Sequence, residues 1–441
     1  MQVPSFWWTT REYTPSPALE GAHRADIAII GGGFTGLSTA YHLKAIDPSI
    51  EVVLLEQEAI GYGASGRNGG FGMTLFGMNL SMTHLRFGTT RTRQAHEYME
   101  RAVDYLWTLI QTHKLSCEAE QPGFLRMATT PYYVKRIQHE IKLAERLGLE
   151  GIYWLEAAEA QERVQSKRFL GAWWEPRCVL VNPAQLAWEM KRLMEERGVK
   201  ISERSPVQEV RKTPKGYEIK TPHTHIRVDK IAFATNAFSV YFPQLYAKQV
   251  PVYTYIVLTE PLSSEWVEHH WRGREGVEDA RNLIHYFRLT ADNRLLMGGG
   301  DIGKTYDARL NRDKDERIFN HLRQFVPQLF PSLQGVRYAH AWGGPVSVTA
   351  DMAPALGYLG KDKTAVYSLG CIGHGVSMTQ YNGWTLAELL LERKSERTEQ
   401  FFVNRWVIPW PPEPLRFAIG SVIHKVLFWE DILHERGYFT W

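Results

Sequence analysis

The hexapeptide Gly31–Gly36, GGGFTG, constrains this chain more than any other stretch. An isoleucine-rich run, Ile27–Ile30, precedes it, and Leu37, Ala40 and Leu43 follow at helical spacing. Gly31, Gly33 and Gly36 give the G-x-G-x-x-G pattern of a strand-turn-helix unit. The first glycine permits the tight turn, the second lets the backbone approach a pyrophosphate, and the third lets helix and strand pack closely. Phosphates would then meet the free N–H groups and dipole of a helix N-terminus, where Phe34 and Thr35 sit. A second apolar run, EVVLLE, ends in Glu56, followed by Gln57. Glu56 lies about twenty residues beyond Gly36, where an acidic side chain grips a ribose hydroxyl. Strand, glycines, helix, second strand and terminal acid together predict a dinucleotide site.

Glu56 argues against a 2′-phosphorylated dinucleotide, because a carboxylate repels that phosphate, but it leaves NAD and FAD open. The next loop, Gly61–Gly70 (GYGASGRNGG), holds five glycines with one Ser, one Arg and one Asn. Such a loop keeps backbone N–H groups available. Gly63, Ala64, Ser65, Gly69 and Gly70 are therefore expected at the cofactor, with Arg67 and Asn68 meeting an electron-rich ring or its phosphates.

With 441 residues, two domains are the default. A net charge of +3 with scattered basic residues lacks the footprint of a nucleic-acid binder. Three cysteines, Cys117, Cys178 and Cys371, cannot build a disulfide framework and fit a reducing, cytoplasmic compartment. No Cys-His cluster has metal-ligand spacing, so no metal is expected. The N-terminus lacks the pattern of a signal peptide, and no apolar run is long enough to span a bilayer.

Periodicity predicts helices over 91–115, 132–148, 184–198, 315–329 and 376–392, and strands at GFLRMATT, KISERSPVQEV, KIAFATNAF, VYTYIVLTE and LLMGGG. YEIKT and HIRVD read as a hairpin, and residues 1–24 as an arm that buries Trp7 and Trp8. From 415 to 433, Leu415, Ile419, Val422, Val426, Trp429 and Leu433 fall on one helical face, with Arg416, Lys425 and Glu430 opposite. That face is expected to pack on the protein's own core or a second subunit; the competing reading lays it on a membrane.

RADIAIIGGGFTGLSTAYHL, EVVLLEQEAIGYGASGRNGG, NPAQLAWEMKRLMEERGVKI, AFATNAF, YFRLTADNRLLMGGG and GHGVSMTQYNGWTLAELL together resemble the FAD-dependent amine and amino-acid oxidases of the D-amino-acid oxidase superfamily. The likeness is strongest to the branch of gamma-glutamylputrescine oxidase and the aminophosphonate and imino-acid oxidoreductases. It implies an α/β fold: an FAD-binding Rossmann-like domain of glutathione-reductase type, with an inserted α+β substrate domain on a mixed antiparallel sheet. The implied FAD domain takes 1–90, 175–245 and 338–395, the substrate domain 91–174 and 246–337, and 396–441 is a helical tail.

The resemblance also implies roles. Val207, on the SPVQEV strand, would give backbone contacts to adenine, and Asn236 would lie near the pyrophosphate and flavin edge. Gly373, Gly375 and Val376 would open a helix facing the flavin pyrimidine ring, with His374 over the ring or serving as a packing residue. Tyr255 and Trp342, with Tyr253, His285 and Phe287, would line an aromatic substrate pocket, and Arg288 would hold a carboxylate or phosphonate bidentately. Ala341–Pro354 carries no cysteine where some relatives tether the flavin, so FAD is expected to be non-covalent and Cys371 inert. The implied reaction oxidises the C–N bond of a small amine, amino acid or aminophosphonate to an imine, with oxygen as acceptor and hydrogen peroxide as product. A dehydrogenase serving a quinone or carrier, and a non-catalytic flavin-bearing subunit, are the alternatives; homo-oligomerisation is left open.

Overall fold

The computed structural model describes residues 4–307 and 309–440. Two large sheets organise them. In the first, the strand order is Ala355–Tyr358, Ala365–Leu369, His225–Phe233, His23–Ile30, Val52–Leu55 and Lys200–Ser202. All neighbours are parallel except the Ala355–Tyr358 edge, and an antiparallel hairpin, Glu209–Thr213 with Gly216–Lys220, extends from His225–Phe233. Ile27, Ile29, Val52 and Leu54 face one core, and Ala28, Ile30, Val53 and Leu55 the other. Burial on both faces explains why these strands read as unbroken apolar runs. Helices Phe34–Ile46, Pro183–Glu196 and Gly375–Leu390 share the first of these cores.

The second sheet runs Gly303–Lys304, Val250–Pro261, Arg294–Gly299, His285–Leu289, Gly276–Asp279, Phe124–Met127, Gly171–Glu175 and Tyr153–Glu156. It is antiparallel except where Gly276–Asp279 meets Phe124–Met127, so it is mixed as expected. Helix Glu316–Leu329, capped by the Asp315 carboxylate, packs Phe319 and Phe325 with Tyr253, Tyr255 and Phe287 in the core of this sheet. Tyr338–Val348, at the start of the expected last FAD-domain segment, pairs along its length with Val250–Pro261 in this sheet.

Two local expectations are corrected. The helix read from 91 begins at Leu80, because Asn79 caps it and a bend at Gly88 (φ 74°) lets two helical stretches join. KISERSPVQEV is not one strand. It leaves the sheet after Ser202, where Arg204 takes a positive φ and the buried Glu203 carboxylate is drawn to the N–H of Ile60 (2.6 Å) and to Lys191 (2.7 Å). Val207 therefore lies on irregular backbone, and pairing resumes at Glu209.

The tail departs from one half of its expectation: its apolar face is turned away from the protein's own core and toward whatever lies outside the chain. Leu415–Glu435 is helical, but its apolar face points outward: Val422, Val426, Trp429 and Leu433 are 60–67% exposed. Arg416, Asp431 and Glu435 are the buried residues. Asp431 accepts the N–H groups of Asn282 and Leu283, both at 2.9 Å, and the Tyr133 hydroxyl at 3.2 Å. His424 meets Asp301 at 2.6 Å. Charged anchors, not apolar packing, hold this helix to the protein.

Candidate functional site

Parallel strands His23–Ile30, Val52–Leu55, His225–Phe233 and Ala365–Leu369 end along one edge of the first sheet. A groove of about 1290 Å3 opens there, lined by Ile30, Leu55, Ala234 and Leu369 at or just beyond the strand ends. Carboxyl ends of parallel strands are where ligands of open α/β sheets bind.

The turn at its floor is shaped by contact. Gly31 has φ 109°, and a Cβ there would lie 2.5 Å from the Ala234 carbonyl oxygen. A Cβ on Gly36 would lie 2.0 Å from the Gly31 carbonyl oxygen, so Gly36 serves the close packing of turn and helix without lining the groove. Gly33 caps the Phe34–Ile46 helix without a side chain; Ser65 Oγ accepts the Phe34 N–H at 3.0 Å. Gly31, Gly33, Phe34 and Thr35 all line the groove.

A second helix start meets the same groove. Gly375–Leu390 begins with His374 in the capping position, which forms no side-chain cap, and Gly373, Gly375 and Val376 line the groove. The two helices cross closely, Gly383 sitting where a Cβ would come within 2.7 Å of the Thr35 carbonyl oxygen. Two helix N-termini, neither capped by the side chain of its own capping residue, thus point their partial positive charge at one cleft.

Glu56 lines the groove with Gln57. Its Oε2 accepts the Gly32 N–H at 2.6 Å and its Oε1 the Glu58 N–H at 3.0 Å. Burial raises its carboxyl to about 7, against the pull of those two N–H groups. Gly63, Ala64, Ser65, Asn68, Val207 and Asn236 line the groove too.

Other residues expected at the cofactor point elsewhere. Arg67 is buried and turned away: Nε donates to the Tyr62 carbonyl (2.8 Å), and Nη1 meets Asp313 (3.1 Å) and the Gly343 carbonyl (3.3 Å). It ties the glycine-rich loop to the Tyr338–Val348 strand. The Asn68 amide donates to the Ala64 carbonyl at 2.9 Å, and its Oδ1 accepts the Gly70 N–H at 2.7 Å, so it closes the loop on itself. Gly69 and Gly70 lie outside the groove; a Cβ on Gly70 would sit 2.2 Å from the Val181 carbonyl oxygen.

The substrate-side expectations fare differently again. Arg288 is 1% exposed, and its guanidinium donates to the carbonyls of Leu289 (3.0 Å) and Val181 (2.9 Å). Burial lowers it to about 10, and no free fork remains for a substrate carboxylate. Tyr255 is buried and donates to the Arg312 carbonyl at 2.9 Å. Trp342 Nε1 donates to the Arg67 carbonyl at 2.8 Å, so it braces the loop. His285 is sealed between Asp279 and His321, and Tyr253 and Phe287 are core. His374 is buried, its Nδ1 has no hydrogen-bond partner, and burial with nearby Arg126 holds it neutral at about 4.

Sequence reasoning missed Tyr62, Ser205, Phe238, Tyr241 and Thr379 on the groove wall. The aromatic density of NAFSVYF, directly after a buried strand, was the available signal for two of them.

A model of the FAD dependent oxidoreductase family matches residues 26–389. The chain belongs to that family. It is 30% identical over 398 residues to gamma-glutamylputrescine oxidoreductase of Escherichia coli, covering 89% of each chain. The fold matches glycine oxidase of Geobacillus kaustophilus with a TM-score of 0.72, at 19% identity over 85% of this chain and 96% of that one. It matches L-proline dehydrogenase of P. horikoshii equally well, TM-score 0.72, at 21% identity over 91% and 99%. The cofactor is therefore FAD, and the protein is an oxidoreductase of the amine and amino-acid oxidase type. The groove fits that cofactor: glycines where a Cβ would collide, amide-rich helix starts for anionic groups, and a carboxylate at the end of the second strand.

A smaller cavity carries polar groups unused above. Met73, Thr74, His96, Arg126 and Glu175 are among its walls. The Met73 carbonyl accepts the Ser377 hydroxyl at 3.1 Å, so this cavity borders the first turn of the Gly375–Leu390 helix. Thr74 donates to Glu175 at 2.8 Å, and burial raises the Glu175 carboxyl to about 7. Arg126 is bridged to Glu278 (2.6 Å) and Glu140 (3.0 Å), and His96 Nε2 has no hydrogen-bond partner.

Proposed function

We propose that this chain oxidises the C–N bond of a small amine or amino acid to an imine and passes the electrons to oxygen, giving hydrogen peroxide. The carrying observation is the convergence of two helix starts and Glu56 on one groove. FAD supplies the hydride acceptor; the protein supplies binding, orientation and electrostatics. Residues 31–35 would hold the pyrophosphate, Glu56 a ribose hydroxyl, and Val207 the adenine side. The amides of Gly375 and Val376 would stabilise negative charge developing beside them. His374, neutral and with an unpartnered Nδ1, would accept a hydrogen bond at that end.

The amine would approach from the Glu175 cavity, where hydride transfer gains from a dry, shaped enclosure. With Arg288 committed to carbonyls, the Glu175 carboxyl, which accepts from Thr74 at 2.8 Å, would favour a substrate with a cationic group over one with an anionic group.

The test is an anaerobic spectrum of the FAD-loaded protein titrated with diamines, amino acids and aminophosphonates. Loss of the oxidised flavin band with an amine, restored by air with stoichiometric peroxide, is the expected result. Bleaching that air leaves unchanged but a quinone reverses would replace the oxidase reading with a dehydrogenase. A band that no amine bleaches would leave only the flavin-bearing subunit.

A further inference from the structure

We propose that the Leu415–Glu435 helix docks this protein on an anionic lipid surface, lying flat with its apolar face in the headgroup boundary. The orientation is built in. Asp431 is held by two backbone N–H groups, Glu435 faces Arg281 at 3.5 Å, and Arg416 donates to the Pro411 carbonyl at 3.0 Å. These anchors turn the apolar side away from the protein.

That outward side carries Leu415, Val422, Ile423, Val426, Trp429 and Leu433, each 47–67% exposed. Large apolar side chains left bare together on one face are the kind of exposed patch that marks a protein or membrane contact. No described helix is long and apolar enough to cross a membrane, so this one would lie on the surface rather than span it. Trp429 and Phe417 are side chains that favour the membrane-water boundary.

Charge selects the occupant. Lys425 is the one exposed ionisable side chain within the helix. Lys304 lies 5.8 Å from the Phe417 ring, and Lys425, Arg312 and Arg317 all act on its charge. Asp301 is offset by His424 and Arg317, while Glu413 and Glu430 accept from the Phe417 N–H and the Tyr132 hydroxyl and keep their charge. A basic flank beside an apolar, aromatic face suits anionic headgroups. A second copy fits less well. Lys425 stands at the middle of the helix, and a two-fold pairing centred on this face would bring it against its own counterpart.

The experiment is sedimentation of the full, FAD-loaded chain with vesicles of equal parts phosphatidylglycerol and phosphatidylcholine, and with vesicles of phosphatidylcholine alone. It reads binding without turnover, so it stands apart from the redox assignment. Pelleting with the anionic vesicles, at least tenfold weakened by Val426→Glu with Trp429→Glu and reduced by Lys425→Glu, is expected. Both glutamates replace exposed side chains, and unchanged flavin content and melting temperature will establish that the variant is folded. Protein that stays in the supernatant with both vesicles overturns the proposal, as does pelleting that the variants leave unchanged. A dimer in analytical ultracentrifugation that the double variant splits, without vesicle binding, assigns the face to a second copy instead.

Discussion

Glu56 reaches across the turn it follows: its Oε2 accepts the N–H of Gly32 at 2.6 Å, tying the end of the second strand to the glycine turn after the first. Burial leaves that carboxyl titrating at about 7 instead of near its ordinary 4.5. A ribose hydroxyl donates more strongly to the ionised form, so binding FAD below pH 7 favours release of a proton from Glu56. The affinity of apoprotein for FAD should therefore rise with pH up to about 7 and level off above it. The limit is about tenfold per pH unit. Glu56→Gln should flatten the profile; fluorescence titration with FAD between acid and mild alkali checks both.

Gly36→Ala puts a methyl 2.0 Å from the Gly31 carbonyl oxygen. The turn must open, at a cost of about 1–3 kcal/mol or more. The expected product melts earlier and purifies with little flavin.

Arg288→Ala should act on stability and not on substrate choice. It leaves the Val181 carbonyl without its 2.9 Å donor and opens a hole in the core. The loss should be about 2–5 kcal/mol by denaturant unfolding. KM should change alike for anionic and uncharged amines; a selective rise for anionic ones would restore Arg288 to the substrate site.

Glu175→Gln tests the substrate side. An amine with a second, cationic group should lose on the order of tenfold or more in KM, about 1.4 kcal/mol. An amine without one should be little affected. In the native protein the Glu175 carboxyl sits at about 7, so KM for the cationic substrate should fall as pH rises through that value.

Acid precipitation should release all of the flavin into the supernatant. Cys371 is buried, burial raises its thiol, and its Sγ lies 3.7 Å from Asn236 Oδ1. Colour retained in the pellet would reveal a covalent link.

Much of the nucleotide groove was legible because its requirements are local. A tight turn, a close backbone approach and an acidic residue at a strand end each demand a residue type at a set spacing, and Gly31, Gly33 and Glu56 display them openly. Two parallel strands buried on both faces announce themselves as IAII and VVLL for the same reason. The side chains of Arg67 and Arg288 were not legible in this way. An arginine beside glycines looks available until the fold brings up the carbonyl of Gly343 or Val181 to occupy it.

The sequence by itself determined that a dinucleotide groove exists, where its turn lies, and that residues 415–433 form an amphipathic helix. Only the tertiary structure decided which way that helix faces. A helical wheel specifies two faces but not which one is covered; the Asn282 and Leu283 amides that capture Asp431 come from a distant strand connection. Periodicity is a property of neighbours along the chain, whereas burial depends on what the rest of the chain brings to each side.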